Sequence, residues 1–206
     1  AGIKSSANYK WWVFGTIAIG TFMSVVDHGS VLIALPEIES HFGTDLSTVQ
    51  WVVVGYTLAI SVLLLPMGRL GDIVGRKQVY IAGFAFFVIA AALAGAAPNL
   101  DVLIAAKVVQ GIGSAMIMGN ANAILAYAFP PEERGRAFAV PIIGARFGTL
   151  IGLVVFGAFL QFLSWRLIFA TFIPLGVIAI VVSLPMLRQA VRQRMPKPAS
   201  ASGPID

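Results

Sequence analysis

Cysteine is absent from this chain of 206 residues, so disulfides, thiol nucleophiles and cysteine-bound metal are excluded. Charge is scarce as well. Lys, Arg, Asp and Glu make up 11% of the residues, where a soluble domain carries roughly a quarter. A surface facing water cannot be built from so little. With two histidines, no zinc-ligand cluster and no hydrolytic arrangement, the sequence supports no enzyme, and neither a cofactor nor a metal is expected.

What the chain has instead is apolar length. Hydrophobic residues make up 58%, and they fall in six blocks, at about 11–35, 48–67, 78–97, 102–127, 137–160 and 165–186. A helix needs about 20 largely apolar residues to cross about 30 Å of hydrocarbon, and each block is long enough. A soluble helical core would need polar faces on its outer helices, and a membrane barrel would show short alternating strands. The expected fold is an all-α polytopic membrane protein with six spans. Residues 1–10 form an N-terminal segment, 11–187 the six-span domain, and 188–206 a basic, Pro-containing tail or linker that reads as disordered. The first block is too long for a cleaved leader and carries Asp27 inside it.

The basic residues orient the spans. With both termini in the cytoplasm, Lys4, Lys10, Arg69, Arg76, Lys77, Arg134, Arg136, Arg188, Arg192, Arg194 and Lys197 lie inside, and only Arg166 lies outside. Lys and Arg accumulate in cytoplasmic loops, so a multi-pass protein of the cell (inner or plasma) membrane is expected. This asymmetry accounts for the net charge of +5 without nucleic acid. Blocks four and five also carry small residues at every fourth position: Gly111, Ala115, Gly119 and Ala123, then Gly144, Gly148 and Gly152. Such stripes let helix backbones approach closely; lining a cavity is the alternative.

Ionisable groups inside the spans need a partner or water. Asp27 lies about 12 Å below the outer end of the first span, and Lys107 enters the fourth to a similar depth. The two are placed to meet across a helix interface, as a proton-exchanging couple or a fixed ion pair. Arg146, near the middle of the fifth span, cannot readily lose its proton. It should face protein or an aqueous vestibule, to meet an anionic substrate or Asp27. His28, Tyr56, Gln110 and Asn120 complete the candidates for a substrate cavity. Asn120 and Asn122 lie on different helical faces, so at most one belongs to the small-residue stripe.

Between the second and third spans runs Gly68-Arg69-Leu70-Gly71-Asp72-Ile73-Val74-Gly75-Arg76-Lys77. Its glycines permit a tight turn, Asp72 can cap the next helix, and its cations can engage carboxylates or lipid headgroups. This segment resembles the signature loop of the major facilitator superfamily. Other segments agree in order. Asp27 followed by Ala34-Leu35-Pro36 looks like the first-helix motif of the drug/proton antiporters, especially their 14-span branch. Lys107-Val108-Val109-Gln110-Gly111 is similar to the fourth-helix Arg-x-x-Gln-Gly motif, with lysine in place of arginine. Ser164-Trp165-Arg166, then Ile168-Phe169 and Pro174, resembles the start of the sixth helix.

The resemblance implies the N-terminal six-helix half of a transporter, with Gly68, Arg69, Gly71, Asp72, Gly75, Arg76 and Lys77 as a gating loop. It implies multidrug efflux or other proton-coupled secondary transport of a small, amphipathic or cationic molecule, with Asp27 and Lys107 as the proton-coupling pair. A half supplies one wall of the route, so a second six-helix half or an identical subunit in a homodimer is the expected partner. The chain departs from the branch at the fifth helix. Gly-Pro followed by Gly-Gly is expected there, and the chain has Gly152-Leu153 and Phe156-Gly157. That departure keeps two alternatives open: a uniporter or symporter of the same fold, and a non-transporting assembly, sensor or regulatory subunit.

Overall fold

The computed structural model describes residues 7–162 and 164–194. Helices account for nearly all of them: α1 (Ala7–Phe42), the single turn α2 (Leu46–Val49), α3 (Trp51–Leu70), α4 (Arg76–Gly95), α5 (Leu100–Ala128), α6 (Arg134–Phe162) and α7 (Arg166–Arg194). Six of these are long and apolar, which makes the protein an all-α membrane protein. By length and composition they form five continuous helical runs, because α3 and α4 join within Leu46–Gly95. That run of 50 residues would extend about 75 Å if straight. It doubles back instead, as its packing on α5 shows. Along α3, Tyr56 abuts Gly111 and Leu64 abuts Gly119, in parallel sense; along α4, Gly83 meets Ile117 while the backbone N of Phe87 meets Gly113, in antiparallel sense.

The reversal occurs in a π-helical turn, Gly71–Gly75. Gly75 has φ 123°, a conformation that a Cβ would strain. A Cβ on Gly71 would collide with the amide oxygen of Asn120. Asp72 does not cap α4: the cap position belongs to Gly75, without a side-chain bond, and Asp72 pairs with Arg76 at 2.6 Å. The reversal at Gly75 brings the Arg76 guanidinium to the Asp72 carboxylate, which is thereby engaged away from the first turn of α4.

Helix ends differ from the expected boundaries for local reasons. α1 runs through Pro36 to Phe42, with the proline tolerated inside the helix. Asp45 caps α2 through Thr48 N at 3.1 Å, and Asn99 caps α5 through Val102 N at 2.9 Å. α7 continues to Arg194, so 188–194 are helical rather than an irregular tail; the remaining expected tail, and Lys4, lie outside the described residues.

α1 packs against α5, α6 and α7. The small-residue stripes are packing faces. A Cβ on Gly111 would stand 2.6 Å from the Tyr56 carbonyl oxygen, and one on Gly148 would stand 2.7 Å from the Phe22 ring. Such contact replaces the water-driven force that membranes lack. Tyr80, Phe84, Phe87, Phe169 and Phe172 fill the buried centre. At one end Lys10 pairs with Glu133 at 2.6 Å. At the other, Glu37 accepts the Trp165 backbone N–H at 3.2 Å, and Arg166 reaches His41 Nε2 and the Ala97 carbonyl.

Candidate functional site

The middle of the bundle holds a closed ring of three polar side chains. Lys107 Nζ donates to Asp27 Oδ2 at 2.7 Å and to Gln110 Oε1 at 2.7 Å; Gln110 Nε2 donates to Asp27 Oδ1 at 3.1 Å. All three side chains are buried, Asp27 completely. Their placement follows from helix geometry. Lys107 and Gln110 are three residues apart on α5, hence on one face, and that face packs on α1 where Asp27 projects.

Taking both charges out of water costs several kcal/mol per ion, which attraction offsets only with good geometry and satisfied neighbours. The ring supplies both, and its net charge is zero. The ammonium also lies 4.4 Å from the centre of the Tyr56 ring and 5.5 Å from that of Phe169, contacts that favour a cation.

A second layer fixes the first. Tyr56 OH donates to the Ser24 carbonyl at 3.2 Å and shares a 2.9 Å bond with Ser114 Oγ. Since the phenol has one proton, Ser114 is then the donor to it. Ser30 Oγ donates to the Asp27 carbonyl at 2.9 Å. His28, half-buried, stacks on Tyr56 with ring centres 6.0 Å apart. Sequence reasoning does not single out Ser24, Ser30 or Ser114, and it names Phe169 only within the sixth-helix motif, not at the site. Ser114 was within reach, four residues beyond Gln110 on the same helical face; the others depend on the packing of α1 and α7. Ser24 Oγ is buried here without a partner among the described residues.

The remaining candidates lie elsewhere. Asn120 donates to the carbonyls of Met67 at 3.1 Å and Met116 at 2.9 Å. It thus ties α5 to the end of α3 and packs on Gly71 at the start of the turn, away from the ring. Asn122 is exposed on another face, in an open groove of about 430 Å³ lined also by Gly68, Arg69, Asp72, Arg76 and Met118. Of the loop residues, Gly68, Arg69, Asp72 and Arg76 therefore border a groove rather than the ring, and Gly71 packs on Asn120. Arg146 is exposed and does not meet Asp27, whose carboxylate Lys107 and Gln110 already occupy. Phe156 is buried and stacks on Phe172 at 5.8 Å, occupying space that the expected glycine would leave open.

Exposed polar side chains divide the surface. Thr57 and Ser61 on α3, Asn122 on α5 and Arg146 on α6 are exposed within the spans. Among the described side chains, the exposed ones of α4 (Phe86, Ile89, Leu93) and of α7 as far as Leu184 (Val177, Ile178, Val181), Thr171 apart, are apolar. One side suits lipid and the other suits protein or water.

Comparison with known proteins agrees with this architecture. The chain is 35% identical to a riboflavin transporter of Clostridioides difficile, with 88% of this chain matching 40% of that protein. It is 31% identical to a tetracenomycin C resistance and export protein of Streptomyces glaucescens (94% and 36%) and 34% identical to a puromycin resistance protein of Streptomyces alboniger (84% and 34%). The chain thus spans 40% or less of the length of these relatives. Its fold matches a bacterial homologue of the lysosomal transporter Spinster, solved inward-facing and unoccupied, with TM-score 0.66 at 18% identity. That match covers 98% of this chain and 46% of the other. The model of the Major Facilitator Superfamily matches residues 17–204, and the chain belongs to that family.

Proposed function

We propose that this chain is one six-helix wall of a proton-coupled secondary transporter for a small amphipathic molecule. The observation that carries this reading is the buried Asp27–Lys107–Gln110 ring. A carboxylate whose counter-charge is a single ammonium has two low-energy states. One is the ion pair; the other is a protonated acid that releases Lys107 and Gln110. Switching between them loosens or tightens α1 against α5, which links proton uptake to helix movement. Names of relatives support small-molecule cargo: one is a riboflavin transporter, another exports tetracenomycin C.

The second wall is a further six-helix bundle, from the remainder of a longer chain or from a second copy. The polar exposed side of α3, α5 and α6 is the face it would close, and the groove beside Arg69 and Asp72 lies along it. In this reading the Gly71–Gly75 turn acts in gating at the cytoplasmic side, both termini are inside, and the membrane is the cell membrane. A non-transporting subunit is the second reading, favoured by the filled space at Phe156.

The test is reconstitution of the full-length protein in liposomes, with internal pH and uptake of riboflavin and tetracenomycin C followed together. Flux driven by a pH gradient and lost in Asp27→Asn is the expected result. Robust flux indifferent to both the gradient and Asp27 would defeat proton coupling, and no flux of either compound would favour the non-transporting subunit.

A further inference from the structure

The ring accounts for Asp27 and Lys107 but leaves one ionised side chain in the middle of a span without a role. Arg146 lies twelve residues after Arg134 and twelve before Ala158, about 18 Å along the helix from either. Its side chain is too short to reach water at either interface, and it cannot readily lose its proton. It is exposed, and it makes no ion pair or hydrogen bond among the described residues. Hydrocarbon is therefore excluded as its surroundings.

Its position on α6 shows where it faces. Gly148 and Gly152 seat α6 on Phe22 and Val26 of α1, and the methyl of Thr149 lies 3.7 Å from where a Gly29 Cβ would stand. Arg146 is one turn before Thr149, so the two share a face along the edge of that seam. His28 precedes Gly29 on α1. Ile143, Phe147, Leu150 and Val154 form the adjoining apolar exposed stripe, which suits lipid, and Arg146, flanked by exposed Ile142 and Leu153, stands on the border between that stripe and the α1 seam. α6 thus has a greasy outer face whose border on the α1 side, with the guanidinium, opens beside α1 about one turn from the level of Asp27.

Charge then decides what that face holds. Asp27 is fully buried and neutralised by Lys107, so it offers no negative charge to a cargo. Among the described residues, the open face at this depth carries the positive charge of Arg146 alone. A guanidinium presents a planar fork of donors matched to carboxylate-like groups.

We infer that Arg146 is a specificity-determining residue, and that the cargo is a small aromatic or amphipathic anion bound through its acidic group. This rests on the transport reading above and gives the cargo a sign. A cation would meet repulsion at Arg146 and no compensating carboxylate on this wall.

The experiment places the full-length protein in nanodiscs and measures equilibrium binding of two flat dyes by fluorescence anisotropy, anionic 6-carboxyfluorescein and cationic ethidium. Wild-type protein binds the anion at least about tenfold more tightly, and Arg146→Gln weakens it by about tenfold or more, as expected for a lost charged hydrogen bond. Arg146→Lys retains part of the affinity, while Arg146→Glu reverses the order of the dyes. Anion binding unchanged in Arg146→Gln, preference for ethidium, or binding of neither dye by wild type overturns the inference. So does dissociation or unfolding of Arg146→Gln, which would assign the guanidinium to a carboxylate of the second bundle. Dye flux under a pH gradient, measured alongside, separates the two readings. Arg146-dependent binding without gradient-driven flux sinks proton-coupled transport alone, and flux indifferent to Arg146 sinks the anion site alone.

Discussion

Replacing Lys107 by methionine keeps most of the side-chain volume and removes the charge. In the structure this strands the Asp27 carboxylate at 0% exposure, with one bond left from Gln110, and leaves Gln110 Oε1 without its donor. Removing one partner of a buried ion pair costs about 3–5 kcal/mol, and Lys107→Met is expected to lose that much. Asp27→Asn alone strands the ammonium and should lose a similar amount. Combined, the two changes leave no buried charge, and the new amide can both accept from and donate to Gln110. The double variant should therefore fall within about 2 kcal/mol of wild type, since neutral replacement of a buried pair is often tolerated. The assay is a double-mutant cycle on equilibrium unfolding in mixed micelles titrated with SDS. A coupling energy of several kcal/mol is expected. Additive losses, with the double variant as unstable as the sum of the singles, would refute the ring as described. The double variant should also be inert to a pH gradient, which separates stability from coupling.

Two further perturbations test the packing and the turn. Gly111→Ala places a methyl 2.6 Å from the Tyr56 carbonyl oxygen and 2.9 Å from Ala59 Cβ, forcing α3 off α5 at a cost of about 1–3 kcal/mol. Gly135→Ala, with nothing within 4 Å, should not lower the melting temperature; equal losses in the two variants would contradict the packing assigned to the stripe. Bonds from Ser47 and Thr48 pull the exposed Asp45 carboxyl down to about 2, below its ordinary 3.8. Its capping contribution is therefore fully present above pH 3.8 and is lost as pH falls through about 2. Amide exchange at Thr48, referred to Asp45→Ala to remove the intrinsic pH dependence, should show protection vanishing over that window; protection independent of Asp45 would remove the cap.

Much of the fold was legible because membranes impose few solutions. Six apolar blocks can satisfy their backbone groups only as helices, and the helices formed with boundaries shifted at Pro36 and at 188–194. The glycines of the turn were legible for a similar reason, since Gly75 adopts a φ that other residues avoid. Asp72 does not act as the cap, because the turn leaves that position to Gly75 and brings Arg76 to the carboxylate instead. Depth along two spans was enough to suggest that Asp27 and Lys107 meet.

Sequence by itself determined the class, the span pattern and the pair of buried charges, because each follows from hydrocarbon thickness and the cost of charge within it. Only the tertiary structure decided how those charges are used. Gln110 closes the ring through its place on the α1–α5 interface, Asn120 turns away to tie α5 to the end of α3, and Arg146 is left on an open face. Helical spacing tells which residues share a face of one helix. Which face meets which neighbour is decided by the packing of small residues across three or four helices at once.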